Sequence, residues 1–566
     1  MSTSSDLLVR CLQHAGIEYA FGVPGSHLLP LYDALCRAGT PQVVLTCHEQ
    51  GAAFMADGYA RVRRRIGLCL GTVGPGAANL ISAVAAAFMD SIPLLVITAQ
   101  VRTDHYGRAA HQEATGRAHS IRQGDLLRAV TKQCFQVKDG HYLAGVAHEA
   151  LILAQSGRPG PVALEICSDA LNQELGELPA EPYSWQIDEG EECPDGIVQE
   201  VVRWLALAER PVFLAGGGAV RSGCAGPLRR LAERLNVPVA TSLLAKGILP
   251  EDHPLSLGGI GYYGLRLANS YVTRADVMIA LGEDFREYTT RGWDRKFQPS
   301  RALIQVDSDP DEIGKNYSPT IGVVASPRVF LESLERQVAE CNLPQRSIEQ
   351  MLELKRTTRY FAEREMYDDS VPIKPQRVMA VLRSKLPRDT IVFKDMGKTG
   401  NWAERYFSTV APDTFFTAYG FSPMGYAVAA SIGGKLAAPE RPVVCLTGDG
   451  AFLMNGMEIA TAAQYRAGVV WVILQDRRLG SLHDAQSALF GDRHVATSLP
   501  GVDYVTLAQA LGARGFRVQT AGELENAVEL ALRDSSPTVI EVGIDPDEKL
   551  PIVRKISLLD GFQPVT

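Results

Sequence analysis

The chain contains no CxxC pair: its ten cysteines lie scattered at positions 11, 36, 47, 69, 134, 167, 193, 224, 341 and 445. That scatter excludes the usual zinc ligand spacings and a disulfide scaffold, and it fits a reducing compartment. A basic surplus is missing too. Lys and Arg number 56 against 64 Asp and Glu, a formal net charge of −8, whereas a protein that grips a phosphate backbone carries a basic face. The one short basic run, Arg63-Arg64-Arg65, reads as a solvated helix end, so nucleic acid is not an expected partner. No long unbroken apolar run exists either. The most apolar stretch, Leu80 to Gln100, is interrupted by Asp90 and Pro93, which marks it as core rather than a membrane span. The opening MSTSSDLLVRCLQHAG lacks the charged-then-apolar design of a signal peptide. A soluble cytoplasmic protein without a membrane partner is the expectation.

What is present is an ordinary folding composition, 46% hydrophobic over 566 residues, enough for three or four domains. Short β-branched runs alternate with longer amphipathic segments throughout, the pattern of parallel sheets flanked by helices. The first block, residues 1–180, carries VVLTC (43–47), IGLCLGT (66–72), PLLVITAQ (93–100) and GRPGPVALEI (157–166). An acidic, Pro- and Gly-punctuated stretch at 181–196 reads as a linker. The second block, 195–342, has VFLAGGG (212–218), PVATSL (238–243), VMIALG (277–282) and ALIQVDSD (302–309). A charged helical stretch near 345–370 leads to the third block, 370–550, with TIVFKDMG (390–397), PVVCLTGDG (442–450), VVWVILQD (469–476) and TVIEVGID (538–545). The predicted fold class is α/β, three consecutive doubly wound parallel-sheet domains.

The sharpest local motif is Gly448-Asp449-Gly450 at the end of an apolar strand, with a second apolar strand ending in Gln475-Asp476, 27 residues after Asp449. That separation is one strand–helix–strand crossover, so both carboxylates face one crevice at the carboxyl ends of neighbouring parallel strands. Mg²⁺ takes hard oxygens and shares its octahedron with ligand phosphates, while backbone N–H groups beside it suit a diphosphate. By itself a GDG is as readily a plain turn. His48-Glu49-Gln50 opens a helical run, and an acid there also serves simply as a favourable first-turn charge. Gly74-Pro75-Gly76 and Phe21-Gly22-Val23-Pro24-Gly25 are turns or close-approach points. Ala215-Gly216-Gly217-Gly218 tempts a dinucleotide reading, but the third glycine of GxGxxG falls on Arg221, so the fingerprint fails.

Taken in order, FGVPG, HEQGAAFMADGYAR, GPGAANL and the GDG with its distant partner resemble thiamine-diphosphate-dependent enzymes, and most of all their acetolactate-synthase-like (pyruvate oxidase and decarboxylase) branch. LAKGILPEDHPLSLG and DSDPDEIGKN extend the resemblance over essentially the whole chain. The resemblance implies a pyrimidine-binding first domain, a central Rossmann-like domain and a diphosphate-binding third domain. It also implies sites between subunits, hence a homodimer or homotetramer. Glu49 matches the glutamate that bonds the pyrimidine ring nitrogen and so promotes proton removal from the thiazolium carbon, with Gly25 and Asn79 beside it. Asp449 and Asp476 match the Mg²⁺ ligands, with the Arg478 carbonyl as third, although Gln475-Asp476 stands where Asn-Asn is common. Gly397, Lys398 and Thr399, with Gly448, Gly450, Ala451, Leu479 and Gly480, match the diphosphate cradle. Met424, next to Ser422, matches the apolar wedge under the cofactor. His111 and Gln112, in HQEAT with Glu113, match the catalytic pocket segment, with His111 in place of a common phenylalanine.

The central domain resembles one that holds FAD, and Gly216–Gly218 and Gly259-Ile260-Gly261 suit it. Asp284, however, stands where FAD-binding members often place an arginine, so FAD is not favoured. The implied activity is decarboxylation of a 2-oxo acid, pyruvate or a relative, with transfer of the acyl carbanion equivalent to a carbonyl acceptor. The alternatives are a decarboxylase that releases an aldehyde, a non-catalytic cofactor-binding homologue, and a nicotinamide dehydrogenase. Ligation is the expectation because the sequence holds no His-His pair and has Leu482 where dedicated decarboxylases carry a glutamate. His111 and His483 remain candidate proton donors.

Overall fold

Runs such as LLVITAQ (94–100) and VVWVILQ (469–475) are buried at nearly every position, as strands must be when helices cover both faces of a sheet. They build three six-stranded sheets. The computed structural model describes residues 2–176, 193–341, 343–344 and 346–551. The expected linker at 181–196 lies outside them as far as residue 192.

The first sheet comprises β1 (Tyr19–Gly22), β2 (Gln42–Leu45), β3 (Gly67–Gly71), β4 (Leu94–Gln100), β5 (Cys134–Val137) and β6 (Val162–Cys167). The second comprises β7 (Val212–Ala215), β8 (Val239–Thr241), β9 (Ser256–Gly259), β10 (Val277–Leu281), β11 (Ala302–Asp307) and β12 (Ile321–Val324). The third comprises β13 (Ile391–Lys394), β14 (Phe415–Phe416), β15 (Val443–Gly448), β16 (Val469–Gln475), β17 (Arg514–Val518) and β18 (Thr538–Gly543). Their orders are β2-β1-β3-β4-β6-β5, β9-β8-β7-β10-β11-β12 and β14-β13-β15-β16-β18-β17. All of these pairings are parallel, for example Val443 with Val469 and Leu95 with Val162. The first and third sheets thus share one topology. The central sheet has the order of a dinucleotide-binding fold, reversing between β7 and β10.

The outer sheets meet through their helices. Helix Glu49–Arg63 crosses helix Tyr426–Ala437 at two glycines. A Cβ on Gly58 would stand 2.0 Å from the Ala430 carbonyl oxygen, and one on Gly433 would stand 1.9 Å from that of Met55. Only hydrogen side chains permit this approach. Beside the crossing, Arg61 donates to Asp57 (2.6 Å) and Asp90 (3.0 Å), and the Tyr426 hydroxyl donates to Asp57 (2.6 Å). Asp90 itself joins all three units. Its buried carboxylate accepts Arg61 from the first, Arg286 (3.3 Å) from the second, and the N–H groups of Tyr419 and Gly420 (both 2.8 Å) from the third. A buried carboxylate is tolerable only with such complete pairing. The same bonds fix the backbone leading to Ser422 and Met424. Among the described residues, no helix is long and apolar enough to cross a membrane.

Candidate active site

Strand ends place the acidic groups. β15 runs out at Gly448, so Asp449 opens the next helix, and β16 delivers Asp476 alongside. Asp449 is buried and accepts the N–H groups of Arg477 (2.8 Å) and Gly450 (2.9 Å). Burial first, then the neighbouring Asp476, pushes its carboxyl up to about 7. Burial also raises Asp476, whose Oδ1 accepts the Arg478 N–H (3.1 Å). Two adjacent, poorly hydrated carboxylates ionise less readily than free ones, and a cation between them favours their charged forms. Among the described residues, no cluster of three metal-ligating His, Cys, Asp or Glu side chains exists. The donor set therefore fits a cation that takes its remaining oxygens from backbone and ligand, as Mg²⁺ does beside phosphates.

Around these acids the backbone comes close. A Cβ on Gly480 would lie 2.8 Å from Asp476 Oδ2 and 2.9 Å from Lys398 Cδ, and one on Gly448 would lie 3.0 Å from Thr399 Oγ1. Gly397, with φ 99°, caps helix Lys398–Tyr406, whose first amides no side chain caps. Uncapped helix amides beside a lysine form an anion cradle. Lys398 meanwhile pairs with Asp484 at 2.8 Å. Met424 extends its methyl toward the Gly450 turn, where a Cβ would lie 3.6 Å from Met424 Cε and 2.7 Å from Leu479 Cδ2. Asp395, fully buried, accepts the N–H groups of Met396 (2.8 Å) and Gly425 (2.9 Å) and so locks the Met424 loop to β13; burial pushes its carboxyl up to about 6.

The other half lies on the first sheet. Glu49 begins its helix after the His48 cap, and its Oε2 accepts Asn79 Nδ2 at 2.9 Å. Across from it, a Cβ on Gly76 would sit 3.2 Å from Glu49 Oε1, and one on Gly25 would sit 2.3 Å from Thr72 Oγ1. The Thr72 and Tyr32 hydroxyls are buried without a hydrogen-bond partner. Orphaned polar atoms of this kind call for a ligand that supplies the partner, and an aminopyrimidine ring carries donors and acceptors to match. Gln112, in the left-handed region at φ 61°, brings its carbonyl to the Gly74 turn. His111 is exposed, and His27 bonds its backbone. Glu113 is absorbed by its own loop, accepting from the N–H groups of Gly107 and Ala110 and the Thr115 hydroxyl.

The predicted residues therefore gather into two half-sites. Among the described residues, no hydrogen bond or ion pair joins Glu49, Asn79 or Gln112 to Asp449, Asp476 or Lys398. What joins the halves is structural: buried Glu458 accepts the N–H groups of Cys47 and His48 (both 3.1 Å), and Asn455 donates to Gln50 (3.4 Å). Sequence reasoning missed Thr72, Tyr32, Asp395, Glu458 and His494. His483, a candidate proton donor from the sequence, lies on the helix after the cradle and stacks on His494, with centroids 3.8 Å apart and planes 9° apart. Ser487 bonds His494 Nε2 at 2.8 Å. Of these, only Asp395 carried a signal, as an acid at the carboxyl end of a parallel strand.

The central crevice is filled by its own side chains. Arg158 pairs with Glu312 (2.6 Å), Arg286 pairs with Asp284 (2.5 Å), and Arg221 occupies the space above Gly217. The void left is about 20 Å³, room for about one water.

Three family models match the chain: the thiamine pyrophosphate enzyme N-terminal TPP binding domain over residues 2–120, the central domain over 198–334, and the C-terminal TPP binding domain over 395–542. The chain is 36% identical to a probable acetolactate synthase large subunit of Methanocaldococcus jannaschii, covering 97% of this chain and 93% of that one. It is 34% identical to a protein of the same name from Methanococcus aeolicus, covering 99% and 95%. It is also 34% identical to the acetolactate synthase isozyme 3 large subunit of Escherichia coli, covering 97% and 96%.

Proposed function

The chain belongs to the thiamine pyrophosphate enzymes and is a thiamine-diphosphate-dependent decarboxylating carboligase of acetolactate-synthase type; from that premise we propose that pyruvate or a close 2-oxo acid is the donor and a second 2-oxo acid or aldehyde the acceptor. The observation that carries this reading is the pair Asp449 and Asp476, whose carboxyls burial raises above their ordinary value and which a cation would relieve, set opposite an uncapped helix start. Asp449, Asp476 and the Arg478 carbonyl would hold Mg²⁺. Gly397–Thr399, with Gly448, Gly450, Ala451, Leu479 and Gly480, would hold the diphosphate. When bound, thiamine diphosphate supplies the carbon nucleophile and electron sink that decarboxylation requires.

The protein's own part is positioning and proton control. Asn79 engages one oxygen of Glu49 and leaves Oε1, which would share a proton with a ring nitrogen of the cofactor. Met424 sets the apolar floor, held by Asp395 through Gly425. Gln112 and His111 border the space where the 2-oxo acid enters. The half-sites complete one another between two copies, so the working unit is a homodimer or a dimer of dimers. In support, Phe421, Met454 and Met457 are 47%, 55% and 56% exposed beside the third-sheet half-site, where a second subunit would cover them. We take residues 1–180, 195–342 and 370–550 as the three folding units. The self-filled central crevice supports a central unit that works without FAD.

The test is product analysis of the loaded enzyme with pyruvate, alone and with a second 2-oxo acid. Ligated 2-hydroxy-2-alkyl-3-oxo acids that rise with acceptor concentration are expected. Free aldehyde as the main product at every acceptor concentration would overturn the ligase reading. One observation favours that second reading: the fold assembles the His483–His494 pair that the linear sequence lacks, and an imidazole there would be placed to supply the proton that aldehyde release requires.

A further inference from the structure

Away from both half-sites, a cavity of about 490 Å³ opens between helix Arg266–Val272 and the end of helix Glu349–Thr357, the connector to the third unit. Arg210, Arg266, Arg274 and Arg359 line it together with Tyr271 and Leu267, and no carboxylate does. Among the described residues, none of these four arginines forms an ion pair. Elsewhere Arg61, Arg158, Arg230, Arg286, Arg388 and Arg517 each do. In a chain of net charge −8, four unpaired guanidinium groups around one hollow are not background. Negative charge entering the hollow would meet all four.

The arginines are also arranged. The Arg210 guanidinium lies 4.5 Å over the Tyr271 ring, which holds it flat, and its Nε is buried with no hydrogen-bond partner. Arg274 is tied down through Nε to the Ser270 carbonyl (2.9 Å) and through Nη2 to its hydroxyl (2.5 Å). The nearby acid Asp276 is engaged elsewhere, accepting the backbone N–H groups of Glu209 (2.7 Å) and Arg210 (2.8 Å) and facing Arg301 at 3.7 Å.

We propose that this cavity is a second, non-catalytic ligand site for a small molecule bearing two or more phosphate groups. Guanidinium forks match phosphate oxygens in pairs and keep their charge at every physiological pH. A single carboxylate would engage one such fork and leave the others unneutralised. The volume lies within the range of small-molecule sites, and Leu267 and Tyr271 provide apolar surface for an organic portion.

Calorimetry on the enzyme preloaded with thiamine diphosphate and excess Mg²⁺ tests this, with ATP, tripolyphosphate and adenosine as probes. ATP and tripolyphosphate bind, adenosine does not, and affinity falls as salt rises. ATP binding tighter than tripolyphosphate assigns the site to nucleotides, and equal binding assigns it to polyphosphate itself. The exposed-residue variant Arg266→Ala/Arg274→Ala weakens binding at least about 30-fold with unchanged melting and turnover. Arg359→Asn, which suits the left-handed backbone there (φ 51°), weakens it independently. Absence of ATP and tripolyphosphate binding at millimolar concentration, or wild-type affinity in these variants, overturns the proposal.

Discussion

The first and third sheets share one strand order, yet they load their crevices differently. The first offers one carboxylate, Glu49, half-exposed at the start of its helix and, among the described residues, hydrogen-bonded by Asn79. The third offers two at neighbouring strand ends, Asp476 half-buried and Asp449 buried deeply enough to resist ionisation. Topology decides where loops converge, and the residues on those loops decide the chemistry. A group that passes a proton must be able to lose and regain it without rearranging its shell. A group that grips a cation does better half-starved of water, because the ion then repays the missing solvation. On this comparison we propose that the first sheet governs proton transfer and the third cofactor retention.

The sharpest way to break that division is Glu49→Gln, which keeps shape and the Asn79 contact but removes the proton-sharing oxygen. Exchange of the thiazolium proton for deuterium should slow by about 10²–10⁴-fold, while thiamine diphosphate affinity changes little. NMR-monitored exchange and fluorescence titration read the two quantities separately. Wild-type exchange in the variant, or loss of binding instead of exchange, would dissolve the assignment of proton transfer to the first sheet.

The opposite pattern is expected of Asp449→Ala. With only Asp476 left, Mg²⁺-dependent retention of the cofactor should fall by more than about 100-fold. Asp476→Asn should cost far less, since an amide oxygen remains and a negative charge leaves the side of the diphosphate. Titration of cofactor with and without Mg²⁺ checks both. If Asp476→Asn proves as damaging as Asp449→Ala, the charge at 476 is itself required, and the third half-site is not a simple cation grip.

How much of this the sequence discloses follows burial. Strands covered on both faces were legible from their unbroken apolar runs, as in LLVITAQ and VVWVILQ. Strands at Cys134–Val137, Ser256–Gly259, Ile321–Val324, Phe415–Phe416 and Arg514–Val518 were not singled out, and every one is an edge of its sheet; the remaining edge, Gln42–Leu45, was legible from VVLTC. An edge strand meets solvent, so its pattern alternates or shortens: Ile321–Val324 alternates buried with exposed, and Phe415–Phe416 is two residues long. The same logic divides the site. Asp449, Asp476 and Glu49 were legible because each sits at a fixed offset from a strand end. Glu458 reaching Cys47, and His483 meeting His494, depend on segments that converge only after folding. "No adjacent histidines in sequence" was therefore no guide to whether histidines pair in space.

Where the two units touch, the comparison becomes a near-symmetric packing test. Gly58 belongs to the first unit and Gly433 to the third, and each leaves room for a carbonyl of the other helix at about the same distance. Gly58→Ala and Gly433→Ala should each destabilise the fold by about 1–3 kcal/mol through overpacking. The double variant should cost less than the sum, because the first substitution already spreads the helices. Urea unfolding measures all three. A neutral Gly58→Ala beside a damaging Gly433→Ala would show that only one face of the crossing is tight.

The smallest effect separates the units by pH. The Asp449 carboxyl titrates at about 7, against an ordinary value of 3.8, because burial and then Asp476 disfavour its charge. A raised carboxyl favours the folded state while protonated, so in metal-free protein this contribution is present below about pH 4 and is lost as pH rises toward 7. The cation needs the ionised form, so its affinity runs the other way. Apparent Mg²⁺ affinity should fall by up to about tenfold per pH unit below 7 and level off above it. Asp449→Asn, which keeps an oxygen donor but cannot titrate, should flatten that profile, whereas Glu49→Gln should leave it as in the wild type. Calorimetric Mg²⁺ titration between about pH 5.5 and 8, from about one and a half pH units below that carboxyl's midpoint to about one above it, decides the matter. A profile flattened by Glu49→Gln would mean that the proton-transfer and metal-binding halves titrate as one unit, despite the absence of a direct bond between them within the chain.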